Sequence, residues 1–189
     1  MDAIKNITER NSARELIEPH PSSDEMQIVF KAALRAPDHA WLRPSKFIQV
    51  SGDKRKKLSE IFLKTARELN DELTDLQIEK YTNAPFRAPM IIILTSNPKE
   101  HPKVPAIEQI ISTGCAGQNI LLSLNALGYG AIWRTGTFAF NKLISKNLGL
   151  ENSSEVIGYI YTGTRTGSNK NIPNLNIDEY VNVVKTNNN

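Results

Sequence analysis

The sequence predicts one domain that mixes helices with strands, and three observations predict it. The chain has 189 residues, 40% hydrophobic and 23% charged, the make-up of an ordinary globular protein. Segments with apolar residues at helical spacing alternate with short β-branched runs along most of its length. The run Met90 to Thr95 is apolar without interruption, as a central strand covered on both faces would be. A domain of this size buries roughly 70% of the surface its unfolded chain exposes, so its core needs no disulfide or structural metal.

The elements follow in order. Ser22, with Glu25 three residues on, forms a capping box; Met26, Val29, Phe30 and Ala33 then recur at helical spacing until Pro37 closes the pattern. Phe47 to Val50 reads as a short strand ending at the turn Ser51-Gly52-Asp53. Leu58, Ile61, Phe62 and Leu69 then mark an amphipathic helix whose solvated face carries Lys54, Arg55, Lys56 and Lys57. Pro85 and Pro89 predict an extended stretch from Asn83 to Pro89, ahead of the strand Met90 to Thr95.

The longest helix is predicted from Ala106 to Leu127, with Ile107, Ile110, Ile111, Leu121, Leu122 and Leu124 apolar and Gly114, Ala116 and Gly117 small at its middle. Glycines inside a helix cost up to ~1 kcal/mol each against alanine. Their clustering predicts close approach of another backbone or a flat ligand, or tight helix packing. Gly128 ends this helix in the left-handed region, Ala131 to Arg134 forms a strand, Asn141 caps a short helix, and Glu155 to Thr162 is the last clear strand. Beyond Gly163 the chain turns polar, shows a short segment from Ile177 to Val184, and ends in asparagines. Such a tail either crosses to a neighbouring subunit or is loop.

Composition and motifs exclude several classes. A single cysteine, Cys115, permits no intrachain disulfide; it is expected to be a small buried residue, and the cytoplasm is the expected compartment. Met1 to Ile7 alternates charged and apolar residues and no run nears the ~20 residues of a membrane span, so neither secretion nor membrane insertion is expected. The net charge of +3 and aromatic content of 7%, with no aromatics among the lysines, argue against nucleic-acid binding. There is no Gly-rich dinucleotide or phosphate loop, no zinc spacing among His20, His39 and His101, and no Gly-x-Ser-x-Gly elbow. What remains are three polar clusters able to hold an anion: Arg10-Asn11-Ser12-Ala13-Arg14, Arg35-Ala36-Pro37-Asp38-His39, and Trp133-Arg134-Thr135-Gly136.

At these clusters the chain resembles the nitroreductase family, most closely its small single-domain branch. The match is nearly full-length, running from Asp2-Ala3-Ile4 through Arg35 to His39, Asn83-Ala84-Pro85-Phe86-Arg87-Ala88-Pro89 and Lys103-Val104-Pro105 to Gly128-Tyr129-Gly130-Ala131-Ile132-Trp133-Arg134. The resemblance implies an α+β fold of three layers over residues 1–189, with a central, mostly antiparallel sheet between helices. It further implies an intertwined homodimer holding two FMN sites at the subunit interface.

By that resemblance Arg10, Asn11 and Ser12 grip the FMN phosphate and ribityl chain, for which a bidentate guanidinium is well shaped. Asn11 stands where relatives carry a second arginine and brings no charge. Arg14 falls where relatives place a lysine near flavin N1 and the C2 carbonyl, a cation that would stabilise the reduced ring. Arg35 and His39 are implied to reach the flavin from the partner subunit, and Trp133, Arg134 and Thr135 to line its other side, with a backbone N–H near Thr135 facing N5. Without the resemblance, His39 reads as a loop histidine bonded to Asp38 and Trp133 as a core aromatic.

The segment Ser123, Leu124, Asn125, Ala126, Leu127 and Gly128 is associated in this branch with the nicotinamide cofactor, NADH or NADPH. Relatives show Gln-Pro-Trp-Arg-Phe where this chain has Arg43-Pro44-Ser45-Lys46-Phe47, which alters the substrate wall. The implied activity is ping-pong hydride transfer from NAD(P)H through flavin N5 to a nitroaromatic, quinone or related small acceptor. The alternative is an FMN carrier or sensor with little turnover.

Overall fold

A computed structural model describes residues 2–184; Met1 and the asparagine-rich end, 185–189, lie outside the described residues. In chain order the elements are α1 (Ala3–Glu9), β1 (Leu16–Ile17), α2 (Ser23–Ala33), β2 (Ser45–Ser51), α3 (Lys54–Leu69), α4 (Asp75–Asn83), β3 (Met90–Ser96), α5 (Ala106–Ala126), β4 (Gly130–Arg134), α6 (Lys142–Asn147) and β5 (Glu155–Arg165). The strands form one five-stranded sheet in the order β1-β5-β3-β2, with β4 also on β5, and every one of these pairings is antiparallel.

Strand β3 shows how the layers arise. All seven of its residues are buried, and their alternation sends Ile91 and Ile93 to one face and Met90, Ile92 and Leu94 to the other. The first face packs on Leu58, Phe62 and Ala66 of α3, Tyr81 of α4 and Ile144 of α6. The second packs on Met26, Val29 and Ala33 of α2 and on Ala116, Ile120, Leu121 and Leu124 of α5. Helix, sheet and helix thus form the three layers of an α+β domain. A register shift between Leu94 and Thr95 lets Val156 and Tyr159 of β5, three residues apart, share the α3 face.

The capping box at Ser22 and Glu25, the asparagine cap at Asn141 and the left-handed Gly128 at φ +89° all stand as the residues predict. Asn83 to Pro89 does not. Asn83 closes α4, and Ala84–Phe86 is a turn of 3-10 helix with Pro85 in its first turn. A proline there lacks only an N–H that would have no helical partner, and its fixed φ suits the helix start. Cys115 is half-buried rather than enclosed. Ile107 and Ile111 lie on the outer face of α5, each 59% exposed.

Candidate functional site

Helix α1 is capped by Asp2, whose carboxylate accepts from the Lys5 amide at 2.9 Å, and it ends at half-buried Arg10. The chain then turns extended. Ser12 bridges to Ala131 in parallel, and the Ala13 amide donates to the Ala131 carbonyl at 3.1 Å, fastening this turn beside the start of β4. From the other end of the chain, β5 runs out at Arg165 and the segment 166–170 passes over the same place. Between them lies a cleft of about 140 Å³ lined by Asn11, Ser12, Arg14, Arg165 and Lys170, with Glu15 on one wall. Three cations face one carboxylate, and none of the three takes part in an ion pair among the described residues. Such a cleft suits an anion.

At the far end of β4 a second cavity of about 270 Å³ is lined by Lys80, Arg87, Arg134, Thr135 and Tyr159. The Arg134 guanidinium lies over the Tyr161 ring, 5.7 Å from its centre, yet among the described residues its buried Nε has no hydrogen-bond partner, and neither has the buried Tyr159 Oη. Burial, and then the neighbouring Tyr161, hold the Tyr159 hydroxyl far above its usual range, so it is a neutral donor. Burial also raises Tyr161, against Arg87 and Arg134, which lower it. Buried polar groups are normally satisfied, and both of these belong to residues that line the cavity.

The two hollows are related through one strand. Ala13 at the first and Phe62 and Tyr159 at the second belong to the same core face. Thr135 lies four residue steps beyond Ala131, just past the end of β4, roughly 13 Å at strand rise. An elongated ligand with an anionic tail and a head rich in acceptors fits that line.

Trp133 points the other way. Its indole fills the space a β-carbon would occupy on Gly117 of α5 and on Gly158 of β5. The small residues of α5 therefore admit a ring from their own chain, at Gly117; a β-carbon on Gly114 would meet nothing within 4 Å. Arg35 and His39 line neither hollow. His39 Nδ1 sits 2.8 Å from Glu108 Oε2, and Asp38 accepts instead from Arg43, at 2.9 Å from its amide and 3.3 Å from Nη1. Between them the backbone is strained: Ala40, Trp41 and Arg43 hold φ of 56°, 53° and 54°. Each is a conformation costing on the order of 1 kcal/mol or more.

The segment Ser123 to Gly128 closes α5. Leu124 is enclosed in the core, and Asn125 Nδ2 donates to Asn6 Oδ1 at 2.7 Å, tying α1 to α5. Of the predicted residues, Asn11, Ser12 and Arg14 share the first cleft, and Arg134 and Thr135 the second. Sequence reasoning missed Arg165, Lys170, Lys80, Arg87 and Tyr159.

Fold and site together define an α+β protein with two separate hollows, each lined by cations, near the two ends of one sheet strand. The nitroreductase family profile matches residues 7–164. The chain is 34% identical over 176 residues to "Putative NAD(P)H nitroreductase YdjA" of Escherichia coli strain K12, covering 92% of this chain and 95% of that one. Among solved structures it resembles the nitroreductase-like family protein from Bacillus cereus (TM-score 0.83, 21% identity, 98% and 97% of the two chains). It also resembles the FMN-dependent nitroreductase NfnB from Mycobacterium smegmatis in complex with NADPH (TM-score 0.74, 17% identity, 97% and 98%). The chain belongs to the nitroreductase family and is an oxidoreductase of that class.

Proposed function

We propose that this chain is an FMN-dependent NAD(P)H oxidoreductase that works as a homodimer and reduces a nitroaromatic, quinone or similar small acceptor. The observation that carries it is the pair of hollows near the two ends of β4, one lined by cations that make no ion pair and the other by buried donors without a hydrogen-bond partner among the described residues. Arg165, Lys170 and Ser12 would hold the phosphate of FMN, with Arg10 beside them, and Arg14 would reach past the ribityl chain to the ring. The Thr135 amide would donate toward N5, and Lys80, Arg87 and Arg134 would line the far end of the ring's site. Bound FMN supplies the hydride-accepting N5 that no side chain of the protein can replace.

The remaining work belongs to the chain. Arg14 places positive charge beside the ring, favouring its reduced, anionic form. Arg35 and His39, exposed and remote from both hollows within one chain, complete the site of the partner subunit. The exposed Ile107 and Ile111 provide apolar surface for that pairing. Ser123 to Gly128 contributes to the nicotinamide side through exposed Ala126 and Gly128 and half-buried Ser123, since Leu124 itself is enclosed. Holding one planar partner at a time, first NAD(P)H and then the acceptor, makes the cycle ping-pong. Steady-state kinetics with NADH and a nitroaromatic test this: parallel double-reciprocal lines support it, and intersecting lines contradict it.

A further inference from the structure

The first cleft is assembled from two chain segments that meet only in space, and the bonds joining them are few. Asn11 Nδ2 donates to the Lys170 carbonyl at 2.6 Å, across 159 residues of sequence. Arg165 Nη2 donates back to the Asn11 carbonyl at 3.1 Å, and the Thr166 amide reaches the Glu15 carbonyl at 3.4 Å. A β-carbon on Gly167 would lie 3.1 Å from the Glu15 carboxylate, so the segment passes as close as a glycine allows. Beyond Arg165 no helix or strand holds residues 166–170 in place.

We infer that Asn11 is a positioning residue, a latch whose amide holds the 166–170 strap over the cleft and thereby sets Lys170 for the phosphate. This role rests on the FMN assignment above. It assigns Asn11 a task other than contact with the ligand: its amide donates to the strap, and the charge needed at the cleft comes from Arg14, Arg165 and Lys170. Losing one hydrogen bond to a backbone carbonyl would weaken binding of the phosphate, by about five- to tenfold. The ring, seated at the other end of β4, would not sense it.

The test compares FMN with riboflavin, which lacks the phosphate, on apoprotein by quenching of flavin fluorescence. The latch predicts that Asn11→Ala binds FMN about five- to tenfold more weakly than wild type, leaves riboflavin affinity within about twofold, and speeds amide exchange in 166–171. Asn11→Gln, which keeps the donor, recovers part of the loss. Unchanged FMN affinity, an equal loss for both flavins, or unaltered exchange in the strap overturns the latch alone. A wild-type chain that binds neither flavin overturns the FMN assignment itself.

Discussion

The indole of Trp133 occupies the position that a side chain on Gly158 would need, and it presses equally on Gly117 from the opposite strand-facing helix. Leu94 adds to the crowding, 2.7 Å from a β-carbon on Gly117. Gly158→Ala and Gly117→Ala each force the ring aside and cost about 1–3 kcal/mol, the usual penalty for overpacking. Chemical denaturation checks this, with wild-type stability in both variants as the contrary result. Because Trp133 adjoins Arg134 and Thr135, flavin affinity should fall along with stability.

Tyr159 is 3% exposed and its hydroxyl has no partner among the described residues. Replacing it by phenylalanine removes an unsatisfied group without opening a cavity, so Tyr159→Phe is expected to be as stable as wild type or more so. Its pKa is raised by folding, so its contribution is fully present below the ordinary tyrosine value of 10.0 and is lost as pH rises above it. The phenylalanine variant therefore loses less stability above pH 10 than wild type, which alkaline denaturation measures. Equal alkaline loss in both would count against an enclosed Tyr159.

Glu25 closes the α2 capping box and also accepts from Tyr129 Oη at 2.9 Å. The backbone and side chain of Ser22, and then Tyr129, lower its pKa below the usual 4.5. A lowered carboxylate stabilises the fold above 4.5 and ceases to do so as pH falls through its folded value. Glu25→Gln should flatten the acid limb of the stability curve and, because burial and then Glu25 raise the Tyr129 hydroxyl, soften the alkaline limb as well. A parallel acid limb in the variant would remove Glu25 from that role.

Arg14 lines the first cleft without an ion-pair partner among the described residues. Arg14→Ala is expected to slow anaerobic reduction by NADH about tenfold or more, because charge placed where charge develops acts on the barrier. Stopped-flow absorbance follows it directly, and an unchanged rate refutes the assignment.

Much of this was legible in residue order. The Ser22 box, the unbroken Met90 to Thr95 run and Gly128 each act over a few residues, so local chemistry decides them. Helix α4 carried a signal that went unread: Thr74 and Gln77 form a second capping box, and Pro85 starts a turn rather than extending the chain. Arg165 and Lys170 were not legible, because nothing in a polar tail reveals that it crosses back to residue 11. Arg134 and Tyr159 meet across neighbouring strands, and their lack of partners exists only in three dimensions. Exposed Ile107 and Ile111 show the same limit, since helical spacing marks an apolar face and not what covers it.

The most direct test is an absorbance spectrum of the purified chain after exposure to FMN and removal of the excess, followed by anaerobic NADH. The account predicts one flavin retained per chain, with oxidised bands near ~370 and ~450 nm that bleach on adding NADH and return with a nitroaromatic. Protein that stays colourless contradicts it, and so does a bound flavin that NADH leaves oxidised.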